Sequence, residues 1–128
     1  MNPRYQDGLA IRTQVMGADF VRRALGSTSE FTQPLQDFIT EQAWGSVWCR
    51  AGIDLKTRSL VTIAMLTALG RSHELAGHLR GALNNGATAE EIREVLLHAA
   101  VYCGVPLAAD AFRCAEPLMP ATQRPDGP

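Results

Sequence analysis

A carboxylate and an imidazole four residues apart, Glu74 and His78, are the side chains whose types and spacing point most directly to chemistry. Arg71, Glu74, His78 and Gly81 fall at i, i+3, i+7 and i+10, one stripe of a helix, so Glu74 and His78 can touch. A carboxylate beside an imidazole keeps one ring nitrogen protonated and favours the imidazolium, which suits proton transfer near neutral pH. Gly81, one turn on, is expected to leave open space beside the ring. The same pair on a surface helix is a solvated ion pair without chemistry, and spacing alone does not separate the two. His73 adjoins the helix start, while His98 faces Glu94 and Tyr102 at four-residue spacing, so solvated or interface roles are expected for both. The three histidines share no HxH, HxxxH or HExxH frame, and no metal site is expected.

The helix that must carry this stripe runs from about Ser72 to Asn84, with Leu75, Leu79, Ala82 and Leu83 on its apolar face and Asn85-Gly86 as its stop. Before it, a first helix is read from Tyr5 to Leu25 on Leu9, Val15, Met16, Phe20 and Val21, weakened by Gly8 and Gly17. Ser27-Thr28-Ser29 offers caps for a second, with Phe31, Leu35, Phe38, Ile39 and Val47 sharing one face and Pro34 tolerable only in the first turn. Asp54 caps a third that ends at Leu69-Gly70. Thr88-Ala89-Glu90-Glu91 is a capping box for a helix burying Ile92, Val95, Leu96 and Ala99. Gly104 stops that helix, and Pro106 opens a last one carrying Ala108, Ala111, Phe112, Ala115 and Leu118. No alternating β-branched run is present, so the expectation is an all-α, single-domain bundle of about six helices. It spans 1–122, and 123–128 is a tail without apolar mass to offset the entropy of ordering.

The totals exclude several classes. A chain of 128 residues fits one domain, and 46% hydrophobic with 20% charged residues is ordinary globular usage. Twelve basic and 13 acidic residues give a net charge of −1, so no basic excess attracts nucleic acid. The longest apolar stretch, Leu60 to Leu69, is about half the ~20 residues a bilayer requires and reads as a buried core helix. No apolar block before a small-residue cleavage site is visible near the N-terminus, and a cytoplasmic location follows by default. Cys49, Cys103 and Cys114 are odd in number and form no CxxC pair, which fits buried inert thiols.

Four longer words add to this. Gln42-Ala43-Trp44-Gly45 with Trp48, Thr57-Arg58-Ser59-Leu60-Val61-Thr62-Ile63-Ala64-Met65, His78-Leu79-Arg80 to Asn84-Asn85-Gly86, and Val101-Tyr102-Cys103-Gly104-Val105-Pro106 stand in one order. With them the chain resembles the carboxymuconolactone decarboxylase family of the alkylhydroperoxidase D-like superfamily. The peroxidase branch of that superfamily carries CxxC at positions corresponding to Arg71 and Glu74, and both thiols are missing here. The resemblance thus points to the decarboxylase branch. It implies an all-helical homo-oligomer, typically a hexamer, that converts 4-carboxymuconolactone to 3-oxoadipate enol-lactone and carbon dioxide in aromatic-acid breakdown.

In that reaction the departing carboxylate sits γ to an unsaturated lactone carbonyl. Electrons released with carbon dioxide pass through the double bond to the carbonyl oxygen, so the substrate is its own electron sink and no cofactor is expected. The protein must stabilise a transient dienolate, protonate the carbon α to the carbonyl, and hold the second, acetate carboxylate. His78 is expected to deliver the proton, with Glu74 orienting it. Arg50, Arg58 and Arg80, in that order, are candidates for the acetate arm, because a guanidinium matches a carboxylate bidentately, although each also fits a plain surface role. Trp44 and Trp48, one turn apart, either wall an apolar pocket or pack a core or subunit interface. Tyr102 either donates to the oxyanion or bonds to backbone. Three other readings stay open: a decarboxylase for a substituted muconolactone, a thiol-dependent peroxidase, and a helical module without activity.

Overall fold

The structure, a computed structural model, describes residues 2–121. The expected tail, 123–128, lies outside the described residues. Gly17 sets the first departure from the expected bundle: it adopts φ 93°, and the run read as one helix breaks there into α1 (Pro3–Met16) and α2 (Ala18–Gly26). A positive φ costs glycine nothing, whereas a side chain there would be strained. Beyond α2, Ser29 and Thr32 close a turn on each other, and α3 (Gln33–Phe38) begins with Pro34 in its first turn, as expected.

At Ile39 the chain widens from α to π geometry and stays so to Trp48. Such segments are uncommon and often mark functional positions. Here the buried residues are Thr40, Trp44 and Trp48, a stripe of four-residue spacing. Most of the face expected to be buried is instead the outer one: Phe31 is 93% exposed, Leu35 56%, Phe38 64% and Val47 48%, and of that face Ile39 packs inward against the tryptophan cluster. Packing against α1 turns the indole side of the segment inward, where Trp44 and Trp48 join Val15 and Met16.

The remaining elements follow the expected stops. They are α4 (Leu55–Leu69), α5 (Ser72–Asn84), α6 (Ala89–Cys103), α7 (Val105–Ala115) and a 3₁₀ turn (Glu116–Leu118). The Asp54 side chain accepts from the Thr57 amide to cap α4, and the Thr88–Glu91 capping box of α6 is formed in both directions. Glu91 also accepts from Lys56 Nζ at 3.0 Å, tying α6 to α4. Among the described residues there is no strand, so the fold is all-α.

Two apolar clusters hold these helices. Ile63, Leu75, Leu79, Ala82, Ile92, Leu96, Ala111 and Ala115 join α4 through α7. Val15, Met16, Val21, Trp44 and Trp48 join α1, α2 and the π segment. The Leu60–Leu69 stretch is only half a core helix: Ile63 is fully buried, but Met65 and Leu69 are 60% and 71% exposed. No helix among the described residues is long and apolar enough to cross a membrane.

The α1–π contact is unusually close because Gly8 faces Gly45 across it. A Cβ at Gly8 would collide with the Thr40 carbonyl oxygen and lie 2.8 Å from the Gly45 nitrogen, and one at Gly45 would collide with the Arg4 carbonyl. That proximity brings α1 side chains against the stripe of Thr40, Trp44 and Trp48.

Candidate active site

The α5 stripe meets the π segment at His78. The Trp44 and Trp48 rings stack on each other, 4.6 Å between centroids, and both lie nearly parallel to the His78 ring at 6.3 and 6.2 Å. Trp44 and Trp48 are 5% and 9% exposed, so the imidazole looks onto a dry aromatic wall. His78 Nδ1 is buried and has no hydrogen-bond partner. Burial lowers the His78 pKa, and the nearby Arg12 guanidinium lowers it further, so the neutral ring is favoured.

This differs from the expected site, in which Glu74 favours the imidazolium and Gly81 leaves open space beside it. No hydrogen bond joins Glu74 to His78: Glu74 Oε1 accepts from Arg71 Nη2 at 2.7 Å, and Oε2 is buried without a partner. Arginine three residues earlier offers a charge-assisted bond stronger than a neutral imidazole can make. Arg71 is also the main reason the Glu74 carboxyl titrates below its usual range. Gly81 likewise leaves no open space; it is buried, and a Cβ there would meet Val15 Cγ1 at 3.2 Å and Met16 Sδ at 3.3 Å. Its smallness lets α1 approach α5.

Arg12 was not among the sequence candidates. It lies on the buried stripe of α1 with Gly8, Val15 and Met16, and is 5% exposed. Its Nη1 donates to Gln36 Oε1 at 3.1 Å and to Thr40 Oγ1 at 3.4 Å, both neutral acceptors, and its Nε is buried with no partner. No carboxylate among the described residues forms an ion pair with it. The sequence did hold a signal, since a cation at i+4 from Gly8 and i−4 from Met16 stands on the apolar face of a helix.

The other candidates fall elsewhere. Arg58 Nη2 donates to the Arg50 carbonyl at 3.1 Å, fastening the loop after Trp48, while the Arg50 side chain is exposed. Arg80 is exposed and lines a cavity of about 320 Å³ with Met16, Asp19, Phe20, Arg23 and Gly77. No hydrogen bond joins any of these three arginines to His78. Tyr102 is 79% exposed and stacks on His98 at 5.1 Å, in an apolar groove of about 490 Å³ between α4 and α6. The structure thus brings together His78, Trp44, Trp48 and Arg12, with Glu74 one turn before His78, and leaves the remaining candidates outside.

The profile of the Carboxymuconolactone decarboxylase family matches residues 33–117, from α3 to the 3₁₀ turn. The chain belongs to the carboxymuconolactone decarboxylase family. It is 49% identical over 113 residues to a 4-carboxymuconolactone decarboxylase of Acinetobacter baylyi, covering 88% of this chain and 84% of that one. It is 48% identical over 108 residues to a nitrosuccinic acid decarboxylase of Metarhizium robertsii, covering 84% and 76%. The family match includes the π segment and α5, hence Trp44, Trp48, Glu74 and His78, but α1 with Arg12 precedes it.

Within this decarboxylase family member the cysteines are poorly placed for a peroxidatic cycle. Cys49 Sγ donates to the Asp7 carbonyl and Cys114 Sγ to the Ser72 carbonyl. The thiols are less buried than expected, Cys49 being exposed and Cys103 and Cys114 half-buried, but desolvation still raises the Cys49 and Cys114 pKa values, which disfavours the thiolate that peroxide chemistry requires.

Proposed function

We propose that this chain is a 4-carboxymuconolactone decarboxylase that uses His78 to protonate the dienolate left by carbon dioxide. The observation that carries the reading is the seat of His78: an imidazole held against two buried, stacked indoles in a member of a decarboxylase family. The leaving carboxylate, placed against this wall, loses hydration, and its charge spreads into the lactone as the carbon–carbon bond breaks. The pair released by the C–C bond forms the new ring double bond, the old double bond shifts toward the carbonyl and charge collects on the carbonyl oxygen; protonation of the α carbon then turns that enolate pair into a C–H bond and restores the carbonyl. No external electron sink is needed.

His78 is set neutral in the free protein, so it must gain a proton in the complex. The substrate supplies the reason, because two carboxylates beside the ring favour the imidazolium. The expected pH behaviour follows in sign. In the free protein the protonated form is lost as pH rises through a value below the usual ~6.5 of histidine, and kcat/KM falls there. In the complex the pKa is higher, so the fall in kcat comes at higher pH. Initial rates across pH 5 to 9, roughly the range histidine spans, should show the two limbs displaced in that order; coincident limbs would contradict it.

The relatives frame a sharper choice of substrate. A carboxylated muconolactone and nitrosuccinic acid each carry a leaving carboxylate beside an electron sink, a conjugated lactone or a nitro group, and a second carboxylate that stays. The flat stacked indoles favour the ring substrate. Purified protein in chelator, offered each compound, should turn over the lactone at least tenfold faster in kcat/KM, the factor that ~1.4 kcal/mol supplies. The reverse preference would assign the chain to nitro-acid decarboxylation, and a methylated lactone in the same assay tests the substituted-substrate reading.

The same proposal includes a cytoplasmic homo-oligomer, a hexamer as the family resemblance implies. Two exposed apolar surfaces support assembly: the outer face of Phe31, Leu35 and Phe38, and the α4–α6 groove lined by Leu60, Val61, Val95 and Tyr102. Contiguous apolar patches of this kind mark subunit contacts.

A further inference from the structure

The geometry points to Arg12 as the residue that anchors the substrate carboxylate that is not lost. This deepens the proposed function and rests on it. A guanidinium removed from water costs several kcal/mol unless an anion and a full set of hydrogen bonds replace the solvent. Arg12 is 95% removed from solvent contact, being 5% exposed, yet its described partners are an amide oxygen and a hydroxyl, and its Nε has none. The cation is therefore poised but uncompensated. Gln36 and Thr40 hold Nη1 from one side and fix the plane of the fork, which is what bidentate carboxylate recognition needs.

Its position completes the argument. Thr40, which accepts from Arg12, lies one turn before Trp44 on the same buried stripe, and the Arg12 charge is felt at His78, so the guanidinium and the imidazole are neighbours of the same pair of indoles. A substrate with two carboxylates set against that wall would place one by the indoles and the other on Arg12. Arg50 and Arg80 are exposed, and Arg58, whose Nε is likewise buried without a partner, is only half-buried and its Nη2 donates to the Arg50 carbonyl. Arg12 also stands on a helix outside residues 33–117, so the family core supplies the proton-transfer wall and α1 supplies the grip on the second carboxylate.

The test compares the lactone with its analogue in which the acetate arm is an uncharged amide. In the wild-type protein the amide should lose about a hundredfold or more in kcat/KM, as expected for truncating one side of a buried charge pair. Arg12→Gln should lose a similar factor on the acid and discriminate little between acid and amide, and Arg12→Lys should recover only part of it. An acid-to-amide ratio unchanged in Arg12→Gln would overturn the assignment. A second readout does not need turnover. The chain's two tryptophans are Trp44 and Trp48, so succinate binding should perturb intrinsic fluorescence in the wild type and not in Arg12→Met. Arg12→Met should also keep or raise Tm, since an uncompensated buried charge is removed; a fall of Tm with unchanged succinate response would make Arg12 a structural residue. If the lactone is not turned over but succinate still binds through Arg12, the carboxylate anchor stands and the substrate reading fails.

Discussion

Replacing His78 with alanine lowers kcat on the lactone by roughly 10²- to 10⁴-fold, the usual contribution of a positioned acid, while the protein stays folded. Both halves of this expectation come from the same geometry. His78 Nδ1 makes no hydrogen bond in the structure, so no polar partner is stranded by its removal. What is lost structurally is the ring's contact with Trp44 and Trp48, a cavity costing about 1 to 2 kcal/mol if the indoles do not settle into it. His78→Gln keeps polarity and most of the volume and should lose kcat equally, because an amide cannot deliver a proton at neutral pH. A stability readout adds a sign. Burial depresses the folded pKa of His78, so the unfolded chain takes up its proton first, and folding free energy is lost as pH falls from about 6.5. That component of the pH dependence should be missing in His78→Gln. Retention of full kcat in either variant would remove His78 from the chemistry.

Gly8→Ala is expected to damage the protein out of proportion to one methyl group. Its Cβ would collide with the Thr40 carbonyl oxygen and lie 2.8 Å from the Gly45 nitrogen and 3.1 Å from the Gly45 Cα. All three are backbone atoms of the π segment, so no side chain can swing away and the helices themselves must separate. Overpacking of this kind costs about 3 kcal/mol at the upper end of the usual range. A Tm lower by roughly 10 °C is the expected reading for a domain of this size. Separation would also carry Arg12 away from Thr40 and draw Trp44 and Trp48 off His78, so activity at a temperature where the variant is folded should fall as well. Gly26→Ala is the contrasting case, because nothing lies within 4 Å of a Cβ there and glycine in a helix is already unfavourable. Equal effects of the two substitutions would show that the close approach of α1 is not what holds the site.

The half of the site on α5 was legible because everything that defines it is local. The stop of the helix is written in Asn85 and Gly86, its apolar face in Leu75, Leu79 and Ala82, and His78 falls beside that face by periodicity alone. The caps of α4 and α6 are legible for the same reason: Asp54 and Thr88 bind amides three residues away. Readings that depended on which neighbour would cover a face fared less well. Phe31, Leu35, Phe38 and Val47 form an apolar stripe as good as that of Thr40, Trp44 and Trp48, and only packing against α1 decides which turns inward. Arg12 is the instructive omission. Its hydrogen bonds reach 24 and 28 residues along the chain, to Gln36 and Thr40, so no local spacing could announce them. Glu74 shows the reverse error. Its four-residue spacing to His78 was real, but Arg71 at three residues competed for the same carboxylate and took it.

In the proposed reaction this chain removes carbon dioxide from the lactone and an acid on the protein, His78, returns the proton. Turnover of 4-carboxymuconolactone in heavy water with chelator present, followed by nuclear magnetic resonance at early times, tests both together. The expected product is enol-lactone carrying a single deuterium at the α carbon in one configuration, formed with one equivalent of carbon dioxide, and this signal is lost in His78→Ala. Absence of turnover, or deuterium on both faces of that carbon in equal amount, would contradict it.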